Sequence, residues 1–339
     1  MTIGILTAGG DCPGLNAAIR GVVTRARADN VDVVGIEEGW QGLIENRARP
    51  LDRDDVRGII STGGTILGTS RMDPYIHGDG ASSVAGCLSD NGIDTLIVIG
   101  GDGSLRTAVR LQNEGLSIVG IPKTIDNDIG GTDVSLGFHT AVQIVTDAID
   151  RLTTTAEAHN RVMVVEVMGR TSGWIAALAG LAGGAEAVLV PEEAVDYAEL
   201  AKRLTARHES GHDYSIVVVA EGIPDPGGAG SAAGVDRYGF ERLGGVAYGV
   251  AAELERLTTY EARVMALGYL QRGGSPTAFD RILGSRFGVK AAELAMSRES
   301  GLMVALRGDS IVNVDLADAC NEVRQLDLGR YEEASWFFA

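Results

Sequence analysis

Cysteine, proline and aromatic residues are scarce in this chain of 339 residues. The three cysteines, Cys12, Cys87 and Cys320, lie far apart and without CxxC spacing, which excludes a disulfide framework and a zinc site and fits a reducing cytoplasm. Positive charge is also short, because 29 Lys and Arg face 46 Asp and Glu and give a net charge of −17. So acidic a chain is not expected to bind nucleic acid or an anionic membrane surface. Phosphate binding would need local arginines, helix ends or a cation.

Long hydrophobic runs are missing as well. The first residues, MTIGILTAGGDCPG, have neither the cationic start nor the apolar stretch of a signal peptide. The longest run of small apolar residues, around Trp174 to Val190, is interrupted by Glu186, and we expect a tightly packed helix there rather than a membrane span. We therefore expect a soluble, cytoplasmic protein. Hydrophobic residues make up 45% of the chain, enough to bury a core, which excludes a disordered or fibrous protein.

Short β-branched runs, each followed by a glycine-rich turn and a helical period, recur along the chain. Continuous apolar runs such as TLIVIG and SIVGIP indicate strands buried on both faces, as in a parallel sheet. The alternation predicts an α/β fold of two similar doubly wound lobes, with an active cleft between them. The segment Gly222–Gly234 is expected to be a flexible or disordered surface loop. The predicted strands are Thr2–Ala8, Val31–Glu37, Asp94–Gly100, Ser117–Pro122, Arg161–Val167, Ala187–Val190 and Tyr214–Ala220, and the predicted helices are Leu15–Ala28, Ser104–Asn113, Phe138–Thr155 and Gly245–Leu257.

Two glycine-rich turns, Ala8–Gly14 and Ile99–Ser104, each follow a predicted strand and precede a helix. Ligands of open α/β sheets bind at this carboxyl edge, and glycines let backbone N–H groups approach an anion beside a helix amino end. Asp102 in the second turn is a candidate ligand of Mg²⁺, which takes one or two carboxylates together with phosphate oxygens. Ordinary tight turns with a helix cap would give the same pattern, so both interpretations stay open.

The segment Pro122–Asp128, PKTIDND, places two carboxylates two residues apart after a buried strand. One carboxylate could accept a hydroxyl proton while the other supports a cation or orients its neighbours. The alternative is a turn rich in Asp and Asn that caps the following helix.

Arginines form a fourth group of candidates, because a guanidinium binds phosphate oxygens bidentately. We expect them at the carboxyl ends of strands, although each could instead be a partner in a surface ion pair. Glu221, at the end of a strand, is a candidate partner for sugar hydroxyls or a helix or turn cap. The arginines are Arg161, Arg170, Arg263 and Arg272.

Five segments together resemble the phosphofructokinase family, in the family's order from residue 3 to about residue 290. They are GGDCPGLNAAIRG, IGGDGS, PKTIDNDI, VEVMGR and YLQRGGSPTAFDR. The resemblance implies a phosphofructokinase-like fold and transfer of the γ-phosphoryl group of ATP to the 1-hydroxyl of fructose 6-phosphate, with Mg²⁺ as cofactor, in a homotetramer or homodimer. It also implies a donor lobe of residues 1–137 and about 250–300, and a sugar-phosphate lobe of about 138–249 and 301–339.

The family pattern implies a role for each matching residue. Donor binding falls to Gly10, Arg71, Gly101, Asp102, Gly103 and Ser104, with Asp102 on Mg²⁺. Catalysis falls to Thr124, Asp126, Asp128 and Arg170, with Asp126 as the base for the sugar hydroxyl. The substrate would contact Thr124, Asp126, Met168, Gly169, Arg170 and Glu221, with Tyr269 and Arg272 on its 6-phosphate and with Arg161 and Arg263 reaching that phosphate from a neighbouring subunit.

Two positions bear on the phosphoryl donor and disagree. Family members that use pyrophosphate carry Asp at the position of Gly103, where a carboxylate would repel the α-phosphate of ATP. Lys123 favours pyrophosphate, since compact bacterial ATP enzymes have Gly there, and Tyr269 in place of their His resembles the mixed ATP/pyrophosphate branch. We favour ATP because some ATP-dependent members combine Gly with Lys. The alternatives are a reversible pyrophosphate-dependent enzyme and a catalytically silent sensor of sugar phosphate or nucleotide.

Overall fold

A computed structural model describes residues 1–77, 79–227, 234–235 and 243–338. The chain divides into two units, Met1–Thr140 with Arg272–Val323 and Ala141–Gln271 with Arg324–Ala339. The first unit thus continues past the expected limit near residue 300, because a strand after that point joins its sheet. Of the expected loop Gly222–Gly234, residues 228–233 lie outside the described residues.

Eleven strands and twelve α-helices are formed by the described residues. The strands are β1 (Thr2–Ala8), β2 (Asp32–Ile36), β3 (Ala48–Leu51), β4 (Thr95–Gly100), β5 (Ile118–Pro122), β6 (Val162–Val167), β7 (Ala187–Leu189), β8 (Ser215–Ala220), β9 (Ala262–Ala266), β10 (Leu302–Arg307) and β11 (Ser310–Asp315). The helices are α1 (Leu15–Ala28), α2 (Trp40–Ile44), α3 (Pro74–His77), α4 (Ala81–Asp90), α5 (Asp102–Asn113), α6 (Phe138–His159), α7 (Trp174–Ala182), α8 (Tyr197–Glu209), α9 (Val246–Leu257), α10 (Ala278–Met296), α11 (Leu316–Ala319) and α12 (Leu328–Ser335). Short 3₁₀ helices lie at Ile59–Ser61 and Gly268–Arg272.

The sheet of the first unit has the strand order β11-β10-β5-β4-β1-β2-β3. Its inner pairs are parallel, and only the two edge strands, β11 and β3, run antiparallel to their neighbours. Strands β4 and β5 are buried along their whole length, as their continuous apolar runs predict. Strand β1 lies between β2 and β4, so the chain first builds the sheet on one side of β1, with β2 and β3, and then on the other side, with β4 and β5. This is the kind of switch point at which open α/β sheets bind ligands.

Helices α1 and α10 of the first unit approach each other closely at glycines. A Cβ atom at Gly288 would lie 2.2 Å from the carbonyl oxygen of Ala18 and 2.9 Å from the backbone nitrogen of Val22. A Cβ atom at Gly21 would lie 2.6 Å from the carbonyl oxygen of Ser285. Glycine is therefore required where the two backbones cross, and the pair covers one face of the parallel sheet.

The sheet of the second unit has the order β7-β8-β6-β9, with every pair parallel. The apolar run around Trp174 to Val190 forms the expected helix only in its first part, α7, because Gly183 and Gly184 end the helix. The predicted strand Ala187–Val190 follows as β7. Helix α12 packs on this unit, where the Tyr331 hydroxyl donates to the carbonyl oxygen of Val188 at 2.7 Å.

The expected α/β fold with mainly parallel sheets is confirmed, and two predicted boundaries are corrected. Residues from about 250 to 271 were assigned to the first lobe, but they belong to the second unit, where β9 pairs with β6. Residues 301–339 were assigned to the second lobe, but β10 pairs in parallel with β5 and carries β11 with it into the first sheet. Of residues 301–339, only residues 324–339 belong to the second unit. None of the described helices combines the length and the apolar character that crossing a membrane requires.

Candidate active site

Three predicted motifs follow neighbouring parallel strands of the first unit. Gly9 and Gly10 follow β1, Asp102 follows β4, and Lys123 follows β5. Because these strands lie side by side in the order β5-β4-β1, their carboxyl ends meet at one edge of the sheet. The Lys123 N–H group donates to the carbonyl oxygen of Gly100 at 2.9 Å, which ties two of the segments together.

Helix α5 begins at Asp102, two residues before the predicted start, so Asp102 and Gly103 lie in its first turn. The N–H groups of a first turn have no partner within the helix and favour an anion. Asp102 forms an ion pair with Arg106, whose Nε lies 2.9 Å from both carboxylate oxygens. A Cβ atom at Gly103 would meet no atom within 4 Å. The space beside Gly103 is therefore open.

The donor set around Asp102 fits a magnesium ion held partly by phosphate. Asp102 is one carboxylate, and its side chain is 30% exposed. The described part of the chain has no group of three or more His, Cys, Asp or Glu side chains that could hold a metal ion, at Asp102 or elsewhere. Mg²⁺ commonly takes one or two carboxylates and completes its octahedral shell with phosphate oxygens and water.

Lys123 is buried beneath the first glycine turn. Its side chain is 3% exposed, and its ammonium group donates to the carbonyl oxygen of Gly10. Burial lowers the pKa of Lys123 to about 8, because the charged form loses its hydration. The sequence pattern indicated that Lys123 matters for the donor but did not reveal that it holds the backbone of the turn.

Arg272 and Arg71 lie near the same glycine turn. One guanidinium nitrogen of Arg272 donates to the carbonyl oxygen of Asp11 at 3.1 Å, and a Cβ atom at Gly10 would lie 2.8 Å from that nitrogen. Arg71 is half-buried and follows Ser70, whose carbonyl oxygen accepts a bond from the Gly9 N–H group at 2.9 Å. Residue 10 must therefore be small for the arginine to contact the turn.

The PKTIDND segment forms a tightly bonded loop around a buried carboxylate. Asp126 is 3% exposed, and its Oδ1 atom has no hydrogen-bond partner among the described residues. The loop is held from within, since the Asp126 N–H group donates to Thr124 Oγ1 at 3.1 Å and the Ser135 hydroxyl donates to the Thr124 carbonyl oxygen at 2.7 Å. Asp128, two residues on, is half-buried. The described residues therefore leave one oxygen of the buried Asp126 carboxylate without a partner.

The following helix, α6, receives its cap from another element. The N–H groups of Gly137 and Thr140 donate to the buried carboxylate of Asp280 in α10, at 2.9 and 2.8 Å. The alternative in which Asp126 or Asp128 caps these N–H groups is wrong. Asp280 caps the helix instead, and the sequence analysis missed it because its partners lie about 140 residues away.

In the second unit, the residues Met168, Gly169 and Arg170 form a turn after β6. Gly169 has φ +147° and Arg170 has φ +53°, a backbone region that non-glycine residues rarely adopt. The Glu221 side chain, which follows the neighbouring strand β8, accepts a bond from the Arg170 N–H group at 3.2 Å. Glu221 therefore holds the strained turn in place, which supports the cap interpretation without excluding sugar contact.

Gln271 contacts the turn of Met168, Gly169 and Arg170, and the sequence analysis missed it. It is fully buried, its Oε1 accepts a bond from the Met168 N–H group at 3.2 Å, and its Nε2 donates to the carbonyl oxygen of Gly268 at 3.1 Å. An amide that is both donor and acceptor suits this position. Its place beside Arg272 in the YLQRGG segment was the available signal. Tyr269, on the same 3₁₀ helix, is 76% exposed.

Two of the four arginines do not lie where the sequence analysis placed them. Arg161 immediately precedes β6 and Arg263 is the second residue of β9, so both lie at the amino ends of strands rather than at the carboxyl ends. The prediction is wrong for these two because each comes before the apolar run of its strand. β6 spans six residues, so Arg161 is about 20 Å from the turn at Met168 at about 3.3 Å per residue.

Comparison with known proteins establishes the family. A family model described as phosphofructokinase matches residues 2–295. The chain belongs to the phosphofructokinase family. This confirms the resemblance carried by the five sequence segments, all of which lie within the matched range.

Relatives of this phosphofructokinase carry names with both phosphoryl donors. The chain is 50% identical to "ATP-dependent 6-phosphofructokinase 3" of Streptomyces coelicolor over 337 residues, which cover 98% of this chain and 99% of the relative. It is 48% identical to "pyrophosphate–fructose 6-phosphate 1-phosphotransferase" of Amycolatopsis methanolica over 341 residues, with full coverage of both.

The solved structure of Pichia pastoris phosphofructokinase in the T-state has a similar fold. Its TM-score with this phosphofructokinase is 0.84 at 30% identity, over 99% of this chain and 37% of the Pichia chain. The chain thus spans a little over a third of the yeast protein's length. The match covers nearly every described element, which confirms the phosphofructokinase-like fold.

Proposed function

We propose that this protein is an ATP-dependent 6-phosphofructokinase, which transfers the γ-phosphoryl group of Mg-ATP to the 1-hydroxyl of fructose 6-phosphate. The products are fructose 1,6-bisphosphate and ADP. The observation that carries the proposal is the buried Asp126 carboxylate with one unpartnered oxygen, beside glycine turns that suit phosphate. A buried polar atom without a hydrogen-bond partner lowers stability, so its presence in a native structure calls for a functional explanation. A relative at 50% identity whose name gives ATP supports the choice of donor.

The donor residues belong to the first unit. The backbone N–H groups of Gly101, Gly103 and Ser104 bind the donor phosphates at the start of α5, and Gly10 and Arg71 bind them from the neighbouring segments. Asp102 would hold Mg²⁺, which neutralises charge on the phosphate oxygens when it is bound. This arrangement requires Asp102 to exchange its pairing with Arg106 for the cation.

The acceptor hydroxyl is activated by Asp126. The unpartnered oxygen of Asp126 accepts the proton of the sugar 1-hydroxyl as the hydroxyl oxygen attacks the γ-phosphorus. Thr124 and Asp128 keep the loop and its charge in place. Arg170 stabilises the charge that spreads over the transferring phosphoryl group. The sugar phosphate is bound by Met168, Gly169, Glu221, Tyr269 and Arg272.

Arg161 and Arg263 are proposed to bind the 6-phosphate in a second copy of the chain. Both lie at the amino ends of β6 and β9, whereas the turn of Met168 and Arg170 follows the carboxyl end of β6. The separation of about 20 Å along the strand exceeds the reach of an arginine side chain. The protein therefore acts as a homo-oligomer, a tetramer or a dimer, and we place it in the cytoplasm.

A pyrophosphate-dependent enzyme is the second candidate, favoured by Lys123 and by the name of the Amycolatopsis relative. One observation favours ATP over it, and a second weakens the argument from Lys123. The space beside Gly103 is open, which leaves room for the α-phosphate. The Lys123 ammonium donates to the Gly10 carbonyl oxygen, so the lysine has a task in the turn whichever donor binds.

The test is the initial rate of fructose 6-phosphate phosphorylation with Mg²⁺ and either ATP or pyrophosphate, for the wild type and for Gly103→Asp. Gly86→Asp is the matched control, because Gly86 is also a helical glycine whose added Cβ would meet nothing within 4 Å. We expect ATP turnover in the wild type and in the control, and its loss in Gly103→Asp. Faster turnover with pyrophosphate in the wild type would favour the second candidate. No turnover with either donor would indicate a sugar-phosphate or nucleotide sensor.

A further inference from the structure

One carboxylate, Glu261, lies between the two arginines at the amino edge of the second sheet. Strands β6 and β9 pair in parallel with Val162 opposite Ala262, which places Arg161 opposite Glu261. The Val162 N–H group donates to the carbonyl oxygen of Glu261 at 3.1 Å, in keeping with this register. Alternate residues of a strand share a face, so Arg263 lies on the same face as Glu261. The backbone register alone therefore groups the three side chains.

The side chains make the contacts that this register allows. The Nε atom of Arg161 donates to Oε2 of Glu261 at 2.6 Å, and a guanidinium nitrogen of Arg263 donates to Oε1 of Glu261. Each carboxylate oxygen thus binds a different arginine. The exposed fractions are 30% for Arg161, 44% for Glu261 and 50% for Arg263, so all three groups are within reach of a dissolved anion.

We propose that Glu261 sets the affinity of this arginine pair for the sugar phosphate by competing with it for the guanidinium groups. The inference rests on the proposed function, in which Arg161 and Arg263 bind the 6-phosphate. A phosphate monoester carries nearly two negative charges and three acceptor oxygens, against one charge and two oxygens for a carboxylate. The phosphate can therefore displace Glu261, whereas singly charged anions compete with it less well. Glu261 therefore lowers the affinity of the pair for every anion, and the phosphate still binds because its interaction with the arginines is the stronger one.

The alternative role for Glu261 would be to align the arginines, and the contacts argue against it. A second guanidinium nitrogen of Arg263 donates to the carbonyl oxygen of its own neighbour Ala262 at 3.0 Å, so Arg263 is positioned without the carboxylate. The backbone of Arg161 is held in place because this residue immediately precedes β6. Removing the Glu261 charge should therefore free donors for phosphate more than it disorders them. Exposed ion pairs are individually weak, so the expected gain in affinity is about three- to tenfold for the two pairs together.

Steady-state kinetics and calorimetric binding of fructose 6-phosphate to Glu261→Gln test the proposal. We expect KM and Kd for fructose 6-phosphate to fall about three- to tenfold while kcat changes less than about twofold, since Glu261 acts through the arginines and not on the reacting atoms. Added KCl should inhibit the variant more strongly than the wild type. Glu253→Gln is the matched control, because Glu253 forms a surface ion pair with Arg256 in the same unit.

Arg161→Ala and Arg263→Ala separate the failure of this inference from that of the proposed roles. If both arginine variants raise KM and Glu261→Gln leaves it unchanged or raises it, competition by Glu261 is wrong while the arginine assignment stands. If the arginine variants leave KM unchanged as well, the assignment of these arginines to the 6-phosphate is itself wrong, and the inference fails with it.

Discussion

Replacing Lys123 with methionine tests how much stability this protein loses by keeping an ammonium group under the glycine turn Ala8–Gly14. Burial lowers the pKa of Lys123 from 10.5 to about 8, which corresponds to about 3 kcal/mol of differential interaction between its charged and neutral forms. Methionine has a similar volume and no charge to desolvate. The variant loses the bond to the Gly10 carbonyl oxygen, worth about 1 kcal/mol. We expect Lys123→Met to gain about 2 kcal/mol in the free energy of unfolding at pH 7.

The pH dependence of the stability difference provides a second, independent test of the prediction. The folded-state pKa of about 8 is below the unfolded value of 10.5, so between these values the unfolded chain binds more protons than the folded one. Stability of the wild type therefore rises with pH across this window, while the methionine variant lacks this contribution. The advantage of Lys123→Met should be full below pH 8 and should disappear toward pH 10.5.

Urea unfolding of both proteins at one protein concentration, from pH 7 to pH 10.5, measures the difference. Lys202→Met is the control, because Lys202 is 77% exposed on α8 and should show no comparable pH-dependent difference. A loss of stability in Lys123→Met at pH 7 would refute the burial argument. A difference that stays constant as the pH rises would refute the lowered pKa of Lys123.

Two further predictions concern catalysis and packing. Asp126→Ser should lower kcat by about a hundred- to ten-thousandfold, the usual contribution of a general base, and leave the KM for fructose 6-phosphate nearly unchanged; a drop in kcat below tenfold in steady-state assays would argue against Asp126 as the base. Gly288→Ala should lower the free energy of unfolding in urea by about 1–3 kcal/mol, because its Cβ would lie 2.2 Å from the Ala18 carbonyl oxygen. Gly86→Ala, in open space on α4, should instead gain up to about 1 kcal/mol, and equal effects at both glycines would contradict the packing argument.

Strands β1, β4, β5, β6 and β8 could be predicted from the sequence because they are buried on both faces, whereas β10, which also lies inside its sheet, was missed. Runs such as TLIVIG in β4 are apolar at every position, and no competing structure of that length would bury them as well. The edge strands β9 and β11 escaped prediction for the opposite reason. Their exposed and half-buried positions dominate, and their polar side chains look like those of loops. Helix α10 was missed because its buried face includes Asp280 and several Gly and Ala residues, while Phe279 and Ile282 are exposed, so its sequence lacks the apolar stripe that marks a surface helix.

The candidate site was predictable where its chemistry follows directly on a strand. Gly10, Asp102 and Asp126 each belong to the segment after a buried strand of the first sheet, and parallel pairing is enough to bring such segments to one edge. Gln271, Asp280 and Glu261 were not predictable, because their roles depend on partners distant in sequence. Nothing local indicates that Asp280 will cap α6, or that Glu261 will lie opposite Arg161. These contacts follow from strand register and helix packing, which only the folded chain defines.

Strand polarity accounts for how this chain distributes the arginines that we propose as anion-binding groups. In a parallel sheet all carboxyl ends lie at one edge, so a residue that precedes its strand is carried to the opposite edge, whatever its side chain could bind. Arg170 follows β6 and Arg161 precedes it, and the length of that one strand keeps the two from sharing a phosphate. A chain that needs both arginines for one substrate can combine them only by supplying one from another copy. Assembly would then be a condition of substrate binding, and mixing Arg161→Ala with Arg170→Ala chains should restore activity that neither variant has alone.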